Sequence, residues 1–266
     1  MGRRIALMLA SAGGEVRIYD QIPETARAAY AFVEAELPKV VASRRGAVAG
    51  QLTIAGSIED AVAETWMVVE AIPERLDLKI ALFGELDRLA PKDAILASNS
   101  SSFPSSQLIG QVARPERVVN THYYMAPEQL AVEVMSCGQT DEAVMALVME
   151  RLPAFGFVPF RVRKESVGFI YNRIWAAVKR EALAVVAEGV STPEEVDRIA
   201  QVVTGAPGGP FRGMDTVGLD VALAIEEHYA AVRPGLPTGP RELLKSYIKE
   251  GRLGAKAGRG FYEDYR

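Results

Sequence analysis

The sequence predicts an α/β domain built on a doubly wound, largely parallel sheet, followed by an all-helical domain. Three observations predict it. Short apolar runs without clean alternation recur between Arg3 and Arg163, as strands covered on both faces require. Helical patterns lie between several of these runs, the signature of a parallel sheet wrapped by its own connections. After "RKESVGF" (163–169) the β signals stop, and the rest reads as helices leading to a Gly-rich tail. The expected domains are residues 1–163 and 164–266.

The elements follow in order. "RRIALMLASAG" reads as a short amphipathic helix and "EVRIYD" (15–20) as the first strand. Further strands are expected at "WMVVEAI" (66–72), "AILASN" (94–99), "RVVNTHYY" (117–124), "LAVEVM" (130–135) and "FVPFRV" (157–162). In the second domain "NRIWAAVKREALAVVAEGV" carries apolar residues at helical spacing. "STPEEVDRI" then offers Thr192 as a helix cap, Pro193 at the first helical position and Glu195 to complete a capping box.

Composition bounds the function. With 266 residues, 49% of them apolar, the chain can bury a large core. A net charge of −4 gives no broad footprint for nucleic acid or an anionic membrane. No apolar run approaches the roughly 20 residues of a bilayer span, and no signal-peptide pattern follows Arg3 and Arg4, so a cytoplasmic location is expected. The single cysteine, Cys137, excludes an internal disulfide and a cysteine-based metal cluster, and reads best as a small buried apolar residue. No metal site is expected.

The opening stretch resembles the second half of a dinucleotide-binding βαβ unit. There a first strand runs into G-x-G-x-x-G, the pyrophosphate meets the next helix at its N-terminus, and an acid ending the second strand binds the ribose. Gly2 fits the third glycine and Asp20 the ribose acid, 18 residues later. An aspartate such as Asp20, taken alone, is more often a helix cap or turn residue.

Four polar residues stand near predicted element ends. His122, in "NTHYYMAP", ends a strand, and Glu133 on the next strand can orient its imidazole, which makes a general base working near neutral pH. The motif "ASNSSSFP" (97–104) also ends a strand and offers hydroxyls to a substrate oxygen, although serine clusters are commonly turns. Asn172, in "GFIYNR", opens the first long helix of the second domain. Together they suggest a cleft in which polar groups converge on one oxygen. His228, in "AIEEHYAA", reads as structural.

Taken together, "MGRRIAL…VRIYD", "VVEAIPERLDLKIALFGELD", "ILASNSSS", "THYYMAPEQLAVEVM", "GFIYNR", "GGPFRGMDTVGLD" and "GRLGAKAGRGFY" resemble the L-3-hydroxyacyl-CoA dehydrogenases, including their 3-hydroxybutyryl-CoA and β-hydroxyacid dehydrogenase relatives. The resemblance covers nearly the whole chain. It implies a Rossmann-like NAD-binding domain, a helical substrate and dimerisation domain, a homodimer, and NAD-dependent oxidation of a 3-hydroxyacyl-CoA or related β-hydroxy acid. By it, His122 takes the 3-hydroxyl proton as hydride passes to the nicotinamide, Glu133 orients the imidazole, Ser101 bonds the substrate oxygen and Asn172 closes the site. Glu74 and Lys79 match positions on the nicotinamide side, although an exposed i,i+5 pair of helix charges is the plain alternative, and Asn99 matches a residue near the nicotinamide ribose. Asp20, without a basic partner for a 2′-phosphate, favours NAD over NADP.

Three departures qualify what the resemblance implies. The family's H-F-F-N-P is here "HYYMA", with Met125 in place of the asparagine. The family's helical hairpin after the second strand falls on "ETARAAYAFVEAELPKVVASRRGAVAGQ", where only Lys39, Arg44 and Arg45 can meet a CoA phosphate. The acyl carrier therefore stays open, and oxidation of carnitine or a sugar acid is the alternative within the family. Lastly, Met1-Gly2 aligns with the end of the glycine motif, so the first, central strand is expected to be absent, together with roughly 10 residues of a longer native product. A non-catalytic or structural chain with an incomplete NAD site is the alternative from another class.

Overall fold

The computed structural model describes residues 1–265. The backbone divides into two units, Met1–Ile170 and Tyr171–Arg266, each with its own hydrophobic core.

In the first unit α1 (Gly2–Ala10) buries Ile5, Leu7, Met8 and Ala10. β1 (Glu15–Ile18) leads past Asp20 into α2 (Pro23–Ser43), which opens on a proline that has no N–H to leave unpaired. Here the structure corrects the expected hairpin of helices. Residues 23–43 form one helix that runs through Pro38, and a strand missed in the sequence, β2 (Gln51–Ile54), follows it. β2 has four residues, none fully buried, and so lacks the apolar run or alternation that marks a strand. The unit continues through α3 (Ile58–Val62), β3 (Met67–Glu70), α4 (Leu76–Leu89), β4 (Ile95–Ser98), β5 (Val118–Tyr123), β6 (Ala131–Ser136), α5 (Glu142–Arg151) and β7 (Val158–Val162).

The strands form two sheets. β1 pairs with β2 in parallel, and the second sheet runs β3-β4-β5-β6-β7, parallel except at the antiparallel β5–β6 pair. β1 and β3 do not pair. Successive residues of β4 enter opposite cores: Ile95 and Ala97 pack with Leu7, Met8, Val33 and Val148, whereas Leu96 packs with Phe83 and Leu86. Helices thus cover both faces of the larger sheet, which is why its strands read as unbroken apolar runs. Cys137 is buried beside Leu96 and Val118, as a small apolar residue would be.

The second unit contains α6 (Tyr171–Ala187), α7 (Pro193–Thr204), α8 (Pro210–Val217), α9 (Leu219–Val232) and α10 (Gly239–Lys249). Thr192 caps α7 as expected, its Oγ1 accepting the Glu195 N–H at 3.3 Å, while the Glu195 carboxylate faces Arg198. Two buried aspartates organise the Gly-rich segments. Asp197 accepts the Phe211 and Arg212 N–H groups that open α8, and Asp215 accepts the Phe261 and Tyr262 N–H groups of the tail. A Cβ at Gly209 would collide with Asp197, and one at Gly260 with Asp215, which explains these two glycines by close approach. No helix among the described residues is long and apolar enough to cross a membrane.

Candidate functional site

A cavity of about 310 Å³ opens in the first unit, lined by Met1, Ala71, Ile72, Glu74, Asn99, Ser101, His122 and Tyr123. Apart from Met1, which precedes α1, these residues follow β3, follow β4 and end β5, so the cavity lies at the carboxyl ends of three parallel strands, where open α/β sheets hold their ligands.

The antiparallel register places His122 directly opposite Glu133. Both are buried, and His122 Nδ1 lies 3.1 Å from Glu133 Oε2. With Nδ1 facing a carboxylate, Nε2 is the ring nitrogen left for a molecule in the cavity. Tyr124 Oη donates to the same Glu133 oxygen at 2.8 Å, and the Ile170 N–H donates to Oε1 at 2.7 Å. The imidazole is stacked on Phe169, with ring centroids 4.8 Å apart and planes 15° off parallel, and Tyr124 meets it edge-on.

Behind the serine loop lies an ion-pair network with no exposed charge at its centre. Glu70 and Lys79 are both buried, with Lys79 Nζ 2.7 Å from Glu70 Oε1. Glu70 also accepts the Ile72 N–H at 2.8 Å and the Ser98 hydroxyl at 2.7 Å. Lys79 reaches Glu74 Oε2 at 3.2 Å, and Glu74 Oε1 gathers the Ser100 hydroxyl and the Ser101 and Ser102 N–H groups. Burial pushes the Glu74 carboxyl up, but the Ser100 hydroxyl, the Ser102 N–H and Lys79 outweigh it and hold the group below its ordinary value. This bracing presents Ser101 on the cavity wall. Asn99 is fixed by its Oδ1, which accepts the Tyr123 N–H at 3.0 Å.

The cavity thus brings together His122, Ser101, Asn99 and Glu74, with Glu133 directly behind the histidine. Lys79 is not on the cavity wall, because its ammonium is held inside by Glu70 and Glu74. Gly2 opens α1, next to Met1 of the cavity, and a Cβ there would stand 3.5 Å from Ala71. Asp20 follows β1, with Oδ1 accepting the Ile22 N–H. Asn172 lies in the first turn of α6, in the helical unit. Arg44 is engaged elsewhere: its guanidinium donates to the Ala154 carbonyl at 2.9 Å and the Ser11 carbonyl at 2.5 Å. Lys39 pairs with Glu36 at 2.7 Å. Sequence reasoning missed Glu70, Ser98, Tyr124 and Phe169. Glu70 carried a signal, since a carboxylate ending an apolar strand must find a partner when buried.

Two of this chain's own groups would suit a dinucleotide: the N–H groups that open α1, for a pyrophosphate, and the Asp20 carboxylate just after β1, for ribose hydroxyls. The family model for the 3-hydroxyacyl-CoA dehydrogenase NAD-binding domain matches residues 1–166, and that for the C-terminal domain matches residues 168–264. The chain belongs to the 3-hydroxyacyl-CoA dehydrogenase family. Membership brings oxidoreductase activity and NAD as the cofactor. The chain is 34% identical over 270 residues to a probable 3-hydroxybutyryl-CoA dehydrogenase of Bacillus subtilis, covering 99% of this chain and 93% of the relative. It is also similar to the crystal structure of the (S)-3-hydroxybutyryl-CoA dehydrogenase PaaH1 from Ralstonia eutropha, with a TM-score of 0.87 and 29% identity over 98% of this chain and 94% of that one. A diketoreductase structure, described as acting on dicarbonyl compounds, matches with a TM-score of 0.81 and 31% identity over the same shares of the two chains.

Proposed function

We propose that this family member oxidises a 3-hydroxyacyl-CoA, or a related β-hydroxy acid, to the 3-oxo compound, with His122 as the general base. The observation that carries this reading is the buried His122–Glu133 pair, 3.1 Å apart, with Nε2 left for the cavity. NAD, when bound, supplies the hydride acceptor. His122 Nε2 accepts the proton of the 3-hydroxyl, and Glu133 holds the ring in the required tautomer and stabilises the imidazolium that forms. The Ser101 hydroxyl donates to the substrate oxygen, and Asn172 contributes from the helical unit. Gly2 and Asp20 would hold the pyrophosphate and ribose, and Asn99 and Glu74 the nicotinamide side. Lys79 serves that side indirectly, by fixing Glu74.

The acyl carrier stays open: of the three basic residues considered for a CoA phosphate, Arg44 is bound to backbone carbonyls, whereas Lys39, in a surface pair with Glu36, and Arg45 are exposed. The homodimer belongs to the same reading and is supported by Ile199, Val202 and Val203, which leave an apolar face of α7 exposed. Sedimentation equilibrium tests it.

NADH formation with 3-hydroxybutyryl-CoA, carnitine and a sugar acid tests the substrate. His122→Asn must abolish turnover while leaving the fold intact, as read by circular dichroism. Turnover that survives this change removes His122 from the reaction, and no turnover with any hydroxy acid by the wild type returns the reading to a non-catalytic chain.

A further inference from the structure

The segment that holds the base comes from outside the β5–β6 pair. Gly168 and Phe169 both adopt left-handed backbone, with φ of 77° and 52°. For a residue with a side chain this conformation costs about 1 kcal/mol or more and persists only where the surroundings impose it. Two contacts result from it here. The Phe169 ring lies against the imidazole at 4.8 Å and 15°, and the next N–H, that of Ile170, reaches Glu133 Oε1 at 2.7 Å. Phe169 is buried with Met135 and Val162, so its ring has little freedom to leave.

We propose that Phe169 is a positioning residue for the base: its left-handed turn clamps both members of the His122–Glu133 pair, one by ring stacking and the other through the Ile170 N–H. This rests on the reading of His122 as the base. The hydrogen bond holds one corner of the imidazole and leaves the ring to swing about its Cα–Cβ and Cβ–Cγ bonds, and a flat ring against its face restricts that swing. Tyr124 adds a T-shaped contact. Pre-set orientation matters in the reacting complex more than in binding, because a misplacement of about 1 Å can cost on the order of 100-fold in rate. The effect therefore belongs in kcat rather than KM.

The chain has two histidines, which makes the imidazole itself observable. In full-length protein carrying isotope-labelled histidine, the His122 Cε1–H resonance is expected upfield of that of exposed His228, because the Phe169 ring current acts on it. Phe169→Leu is expected to move this resonance downfield and to lower kcat by about 10–100-fold with KM within about twofold. Phe169→Tyr keeps the flat ring and is expected to restore both. An unshifted His122 resonance in the wild type overturns the clamp without any variant. It is overturned equally by a Phe169→Leu enzyme with wild-type kcat, or by a Phe169→Tyr enzyme as slow as Phe169→Leu. Failure of the base assignment is read separately, from turnover that survives His122→Asn, whereas the His122 resonance of the wild type reports the stacking whatever the role of His122.

Discussion

Replacing Glu70 with leucine removes the centre of the network behind the serine loop, and the cost follows from what is left unpaired. Three donors lose their acceptor: the Lys79 ammonium, the Ser98 hydroxyl and the Ile72 N–H. Ser98 is fully buried, so its orphaned hydroxyl alone costs about 1–3 kcal/mol. Lys79 keeps Glu74 at 3.2 Å and the Ile72 carbonyl at 3.3 Å, which soften the loss without cancelling it, since its own side chain is 1% exposed. Breaking one half of a buried ion pair typically costs about 3–5 kcal/mol, and the same range applies here. In a unit of this size each kcal/mol moves the midpoint by about 2–4 °C, so Glu70→Leu should lower Tm by roughly 6–20 °C. Calorimetry of the full chain measures it. The double variant Glu70→Leu/Lys79→Met, which removes both charges, should recover most of the loss and leave chiefly the Ser98 deficit. A Glu70→Leu protein that melts within about 2 °C of the wild type, or a double variant less stable than the single one, would refute the account of a mutually dependent buried pair.

Other consequences are equally direct. Arg44→Lys replaces a guanidinium that spans the Ser11 and Ala154 carbonyls, so stability should fall by about 1–3 kcal/mol in urea unfolding while KM for a CoA substrate stays unchanged; a rise in KM at constant stability would return Arg44 to the CoA phosphate. The Glu74 carboxyl is held below its ordinary value of 4.5 in the folded chain, so its contribution is present above about pH 4.5 and is lost as pH falls through the lower folded value. Glu74→Gln should therefore flatten the acid side of the stability profile in pH-dependent thermal melts, and an unchanged slope would contradict this. Asp215→Ala strips the acceptor from two tail N–H groups and from Tyr265 Oη, and should cost about 2–4 kcal/mol and expose the 258–265 region to limited proteolysis, with unaltered cleavage as the contrary result.

The sequence by itself determined the class of fold and the position of most strands, and together with the family resemblance it singled out four of the residues that line the cavity, Glu74, Asn99, Ser101 and His122. It could do so because burial on both faces of the larger sheet leaves apolar runs such as "ILAS" and "VVNTHY", and because strand ends are where such a sheet binds ligands. The pairing of His122 with Glu133 was within reach, since both stood on neighbouring predicted strands. Four-residue β2 was not, because an exposed strand is stabilised by its parallel neighbour β1 and leaves no hydrophobic period of its own. Only the tertiary structure decided how charges are used. Lys79 reads in sequence as one of a pair of solvated helix charges or as a cofactor contact, and it becomes a buried brace because β3 brings Glu70 beneath α4. Arg44 reads in sequence as one of three candidates for a CoA phosphate or as part of a solvated basic turn, and it becomes a backbone clamp because α2 ends beside Ser11 and Ala154. The contact Phe169 makes was not legible locally: it stacks on His122, 47 residues away, and the next N–H, that of Ile170, bonds Glu133, 37 residues from it, and contacts across such separations exist only once the chain has folded.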